Sequence, residues 1–328
     1  MTPAAVAGAI QERGLARRMI ASRQALLLVL ILLWCLVIAI NEPRFLSVQN
    51  FINIGDQAAI LAIPAAVMTL IIICAGIDLS VGSVLALGGF ITASSLVAGL
   101  PTLAAVLLGI AAGIGIGLLN GAGIAYLGIP ALIMTLAMLY AVRGGVLFLA
   151  KGETIASDFP AAFRYLGTGD LLGIPVPVFI AIGVFLACGL VLRSTRFGRY
   201  VIAIGTNEDV SRRAGINVRR VKLTLYAASG AAAALAGIVL ASKLNAATTN
   251  AGYGSELDVI AAVIIGGTSL FGGRGTLVGT ALGVVFLALV RNGLNLLGVS
   301  PFLQIFTVGA LLFVSALADV LYSRAGRQ

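Results

Sequence analysis

Apolar residues recur in long runs along nearly the whole chain, broken by short polar or glycine- and proline-containing stretches. The runs predict ten helices, over 24–41, 57–75, 81–99, 102–123, 129–150, 177–193, 222–243, 257–273, 277–297 and 302–321. Most have about 17–25 residues, enough at 1.5 Å per residue to cross a hydrocarbon core about 30 Å thick. The pattern predicts an all-α, polytopic transmembrane bundle, with one transmembrane domain over 24–321 flanked by tails at 1–23 and 322–328. Two stretches, 151–176 and 194–221, are too polar or too broken for lipid and are read as loops on opposite faces.

Composition agrees: 60% of the 328 residues are hydrophobic, 10% are charged and the mean hydropathy is +1.11, outside the usual range of soluble domains. The first run follows Arg13, Arg17, Arg18 and Arg23 as a signal peptide would. It is longer than a typical signal core, however, and Asn41-Glu42-Pro43 follows it in place of a cleavage site, so it is read as a retained span. Lys/Arg bias sets the orientation. With ten spans and both termini in the cytoplasm, 15 of the 21 basic residues fall on the cytoplasmic side, eight of them between Arg193 and Lys222. A net charge of +9 spread in this way reflects topology and not a nucleic-acid surface.

The chain has an internal echo. Ile77-Asp78-Leu79 opens a unit running through Asn120-Gly121 and Leu127-Gly128-Ile129-Pro130; Leu257-Asp258-Val259 opens a second running through Asn292-Gly293 and Leu297-Gly298-Val299-Ser300-Pro301. The units start five spans apart, so the weak repeat is inverted across the membrane. Each contains a glycine ladder, Gly109, Gly113, Gly117 and Gly121 in the first and Gly275, Gly279 and Gly283 in the second. That spacing favours close helix packing over direct substrate contact.

In the larger cytoplasmic loop, residues 205–216 read as a short capped helix. Thr206 and Asp209 have capping-box spacing. Glu208 and Asp209 suit the positive end, Arg212 and Arg213 the negative end, and Gly215 a left-handed stop before Ile216. Val210 and Ala214 offer a small apolar face. A helix this short must pack on something, either the protein's own helix ends or a partner.

Chemistry is sparse. There is no histidine, and the three cysteines, Cys35, Cys74 and Cys188, lie in apolar runs; no metal site or catalytic residue is expected. The three lysines, Lys151, Lys222 and Lys243, are not followed by Ser or Thr, so there is no phosphate-binding loop of the Walker type. The chain cannot hydrolyse ATP by that mechanism alone. Asp56, Asp78, Asp258 and Asp319 fall at span ends. Asp78 with Ser80, and Asp258 after Ser255, read as helix caps before substrate or ion contacts, and Asp319 as a partner for Arg324. Asn120, Thr135, Asn292, Asn295, Phe306 and Thr307 are candidates for a path that exchanges hydroxyl groups, with interhelical hydrogen bonding as the alternative. Arg143 and Arg291 are read as snorkelling.

Three ordered segments resemble the membrane subunits of bacterial ribose, xylose and galactose ATP-driven importers: Ala75-Gly76-Ile77-Asp78-Leu79-Ser80-Val81-Gly82-Ser83; Arg196-Phe197-Gly198-Arg199-Tyr200 leading into 205–216; and Ile264-Ile265-Gly266-Gly267-Thr268-Ser269-Leu270-Phe271-Gly272-Gly273-Arg274-Gly275-Thr276. The likeness covers roughly residues 50–322. It implies a permease for a pentose or hexose in the bacterial inner membrane, working as a homodimer or as a heterodimer with a related permease. It further implies an ABC ATPase partner carrying ATP and Mg and an extracytoplasmic sugar-binding protein, and it makes Gly205, Thr206, Asn207, Glu208, Asp209, Val210, Ser211, Ala214, Gly215 and Ile216 the ATPase-docking segment. Val210 and Ser211 stand where that family usually has two alanines. Rival readings are a branched-chain amino-acid permease and a carrier or channel that works without an ATPase.

Overall fold

A computed structural model describes residues 24–325, with side chains through residue 320; the basic residues of 1–23, residues 326–328 and the Arg324 side chain lie outside the described residues. The helices are α1 (Gln24–Asn41), α2 (Val48–Ile73), α3 (Val81–Val97), α4 (Thr102–Ala125), α5 (Ala131–Leu149), α6 (Ala161–Thr168), α7 (Val176–Ser194), α8 (Arg196–Thr206), α9 (Glu208–Arg213), α10 (Val218–Leu244), α11 (Ser255–Ile265), α12 (Leu277–Leu296) and α13 (Pro301–Ala325). Two two-residue strand pairs are the only sheet among the described residues: Ile155–Ala156 against Ala246–Ala247, and Asp170–Leu171 against Ile174–Pro175.

Eight of these helices are long and apolar enough to cross a membrane. The other two predicted spans are shorter: α3 has 17 residues and α11 only 11. Span eight, expected over 257–273, therefore ends early. Gly266 must lie flat against the Gly279 backbone, and Gly267, Gly272 and Gly273 adopt positive φ, so 266–276 runs as a loop. In the other direction α2 starts nine residues before its predicted boundary, because Ser47 caps it by accepting from the Asn50 N–H.

Two helices form the centre. α10 packs against α4, α3, α2 and α6, and α2 packs against α7, α10, α12 and α11. The glycine ladder explains how α4 and α10 come so close. A Cβ on Gly113 would strike the Gly230 carbonyl, one on Gly117 the Tyr226 carbonyl, and one on Gly230 the Gly113 carbonyl. The backbones touch there, gaining dispersion contacts that lipid cannot supply. In the second ladder Gly279 and Gly283 lie against Gly266 and Ala262 at the end of α11.

The two sequence units have the same packing order: α3 with α4 and α5, and α11 with α12 and α13. α1, α5, α7 and α13 carry most of the exposed large apolar side chains, as lipid-facing helices would. On the face opposite α8 and α9, α6 is clipped to the end of α10 by the Ser242 hydroxyl, which donates to the Phe163 carbonyl at 2.6 Å.

Candidate functional site: the coupling helix and the polar network above it

Thr195 starts α8 by accepting from the Gly198 N–H at 3.1 Å, and Val201, Ile204 and Gly205 form its buried face. Asn207, not Thr206, caps α9: its Oδ1 accepts from the Val210 N–H at 3.0 Å. The capping box expected at Thr206 fails because Thr206 is the last residue of α8, its hydroxyl donating back to the Ile202 carbonyl. The expected end of α9 is present. Gly215 has φ +83°, its N–H donates to the Arg212 carbonyl, and the Ile216 N–H donates to the Ser211 carbonyl, the two bonds of a Schellman stop.

α9 rests on its own protein through buried Ser211 and half-buried Ile216, while Val210, Ala214 and Asp209 face outward. Glu208 ties it down, accepting from Lys222 Nζ on α10 at 2.7 Å and from Arg212 Nη2 at 2.8 Å. Burial opposes charge on Glu208, but Lys222 and then Arg212 outweigh it and hold the carboxyl below its ordinary value. Beside this pair a cavity of about 440 Å³ opens, running from Glu208, Arg212 and Arg219 to Tyr126 and Tyr226.

The three segments singled out in the sequence meet here. The Gly273 N–H donates to the Ile73 carbonyl at 2.8 Å, closing the 266–276 loop onto the end of α2. A Cβ on Gly205 would hit the Ile73 carbonyl, and one on Gly272 would approach both Gly205 and Ala75. Through these contacts α8 packs against the end of α2, the 74–80 lead into α3 and the loop that ends α11.

Above that junction lies a buried polar network. Asp78, 1% exposed, accepts from the Ser80 N–H (2.9 Å) and hydroxyl (2.6 Å) on one oxygen and from Ser229 Oγ of α10 (2.7 Å) on the other. It does not reach the free N–H groups of the first turn of α3; it holds Ser80, the residue before that turn. Asn120 Nδ2 of α4 donates to Ser80 Oγ at 2.8 Å, and Tyr226 Oη donates to the Ile77 carbonyl at 3.1 Å. The start of α3 is thus pinned to α4 and α10 without a cation.

Of the path candidates, Asn120 and Thr135 flank this network, Thr135 donating to the Ala131 carbonyl at 2.8 Å. Asn292 lies elsewhere, exchanging two amide hydrogen bonds with Asn50 at 2.8 and 3.0 Å. Asn295 accepts from Gln304, Thr307 Oγ1 donates to the Leu303 carbonyl, and Phe306 is exposed, all on the α12–α13 side.

Two readings of charge change. Asp258 is not a cap; α11 begins after Gly254, and Asp258 takes both its bonds from Arg291 Nη2, at 2.6 and 2.7 Å. Arg143 does not snorkel, since its Nη1 donates to the Thr249 and Ala251 carbonyls. Asp319 accepts from Ser269 Oγ and the Leu270 N–H. Glu256, two residues before Asp258, was not among the acids read at span ends, because it sat in what looked like an outer loop.

A family model described as "Branched-chain amino acid transport system / permease component" matches residues 50–316. The ribose import permease protein RbsC of Escherichia coli (strain K12) is 39% identical over 295 residues, covering 89% of this chain and 92% of that protein. RbsC of Bacillus subtilis (strain 168) is 42% identical over 285 residues, 87% and 88% of the two chains. The L-arabinose transport system permease protein AraH of E. coli (strain K12) is 36% identical over 289 residues, 88% of each. No solved structure gives a significant match. A family match over most of the chain and relatives aligned end to end with a multi-pass helical bundle lead to one conclusion: this chain belongs to that permease family, the multi-pass membrane components of ABC importers.

Proposed function

We propose that this protein is the inner-membrane permease of an ABC importer for a monosaccharide, a pentose in the first instance. The observation that carries the reading is the relationship to permeases named for ribose and L-arabinose over nearly 90% of the chain. The family description names branched-chain amino acids, yet the relatives at 36–42% identity that are named for a substrate are named for sugars.

The proposed division of labour draws support from the geometry of α8 and α9. The α8–α9 face, with its dense arginines, lies in the cytoplasm together with both termini. Val210 and Ala214 present an apolar spot to an ATPase subunit, which supplies ATP and Mg. An extracytoplasmic binding protein delivers sugar to the face that carries α6. Two permeases, identical or related, enclose the path. ATP-driven closure of the ATPase pair moves α9, and the Gly205–Ile73–Gly273 junction carries that motion to α3 and α11 and reweights inward- and outward-open states.

The test is uptake by proteoliposomes holding the permease, its ATPase and its binding protein. Ribose or arabinose accumulation that requires ATP supports the reading. Leucine uptake that sugars do not inhibit favours the amino-acid alternative, and sugar uptake by the permease alone favours a carrier.

A further inference from the structure

Residues 245–254, between α10 and α11, contain no helix, and only Ala246 and Ala247 join a strand. This stretch does not stay at the surface. Gly82, in the first turn of α3, lies so close to it that a Cβ there would strike the Gly252 carbonyl and the Glu256 carboxylate. α3 runs beside α10 with Gly88 against Ala234 and Leu85 against Gly237. Gly82 is therefore level with the middle of the 27-residue α10, near the bilayer midplane.

The half-helices α3 and α11 thus start at the same depth, their positive N-terminal ends converging beside Glu256. Arg143 of α5 fixes the irregular segment by donating Nη1 to the Thr249 and Ala251 carbonyls at 2.9 and 2.7 Å. Tyr253 projects from it, 84% exposed, while Glu256 Oε2, buried beside Gly82, has no hydrogen-bond partner among the described residues. Irregular backbone, a phenol and an ionisable pair at this depth are not stable against lipid. Such groups face protein or water, and here Tyr253 faces away from its own chain.

We propose that Tyr253, Glu256 and Arg143 form a midplane station on the water-filled path, where the transported polyol exchanges its hydration for protein contacts. The Tyr253 ring suits the C–H face of a sugar, the Glu256 carboxylate accepts from hydroxyl groups, and the Arg143 guanidinium holds the segment and offers its remaining N–H groups. The substrate class rests on the sugar-importer reading above; the water-lined surface does not.

The test uses the assembled importer in membranes, with Cys35, Cys74 and Cys188 replaced by alanine. Tyr253→Cys is labelled with a charged methanethiosulfonate, with Leu186→Cys on the lipid-facing side of α7 as reference. Labelling of Tyr253→Cys alone, slowed several-fold by ribose supplied with the binding protein, is expected. Tyr253→Cys as unreactive as Leu186→Cys overturns the proposal. Glu256→Gln is expected to cut ribose uptake at least tenfold while the ATPase still responds to the binding protein; unchanged uptake overturns the role of Glu256. Labelling of Tyr253→Cys when the parent importer transports no pentose or hexose keeps the water-lined surface and overturns the sugar assignment.

Discussion

Glu208 on α9 and Lys222 on α10, 14 positions apart in the chain, form an ion pair of 2.7 Å that fastens this short helix to the core of the bundle. α9 has six residues and would not hold its shape alone. This pair, the Asn207 cap and the Schellman stop at Gly215 hold it in a defined position.

Glu208→Gln removes the charge but keeps the shape. ATP-driven uptake is expected to fall about three- to tenfold with membrane levels unchanged, because the loss of the pair loosens α9 without unfolding the bundle. Uptake and ATPase rates measured on the same proteoliposomes check it; both should remain, with fewer sugars moved per ATP.

The same carboxylate sets a pH dependence. Its folded value lies below the ordinary 4.5, so the attachment of α9 is fully present above that ordinary value. It is lost as pH falls through the lower folded value. A spin label at Val210 should keep the same mobility from pH 8 to pH 5 and become mobile only once the pH has fallen below the ordinary 4.5.

Gly230 of α10 and Gly115 of α4 are two kinds of glycine. Gly230→Ala forces apart the backbones of α4 and α10 and is expected to cost at least about 1–3 kcal/mol, read as a lowered melting temperature in detergent. Gly115 on α4 has open space around it, and Gly115→Ala should be neutral or stabilising by up to about 1 kcal/mol.

At Asp78 the chemistry of the replacement decides the outcome. Asp78→Ala strands Ser80 and Ser229 as buried unsatisfied groups, at about 1–3 kcal/mol each. Asp78→Asn keeps an oxygen for Ser80 and meets Ser229 with an amide, to which that hydroxyl can turn its lone pair. Thermal unfolding should rank the wild type near Asp78→Asn and both well above Asp78→Ala.

Much of this architecture was legible in hydropathy, because lipid enforces long apolar helices. The shorter elements were not. Span eight merged α11 with the 266–276 loop because Ile264-Ile265-Gly266-Gly267 continues the apolar run, and only a close approach such as Gly266 to Gly279 reveals the break. In the coupling segment the glycine stop and the dipole-matched charges were readable from spacing. The cap was misplaced by one residue because Thr206 and Asn207 both suit that role and α8 consumes the threonine. Asp258 looked like a cap since its partner, Arg291, is 33 residues away. Glu256 escaped notice for a related reason: nothing local signals that a polar loop folds back to meet Gly82 at mid-membrane.

The central claim, a permease powered through α9 by a separate ATPase, is tested most directly by counter-flow-free uptake of labelled ribose into sealed proteoliposomes of the assembled importer. ATP supplied on the α9 side should drive accumulation against the gradient in the parent protein and lose most of it when Gly215 is replaced by a bulky residue such as Val. Accumulation that proceeds without ATP, or that is unchanged in Gly215→Val, would contradict the account.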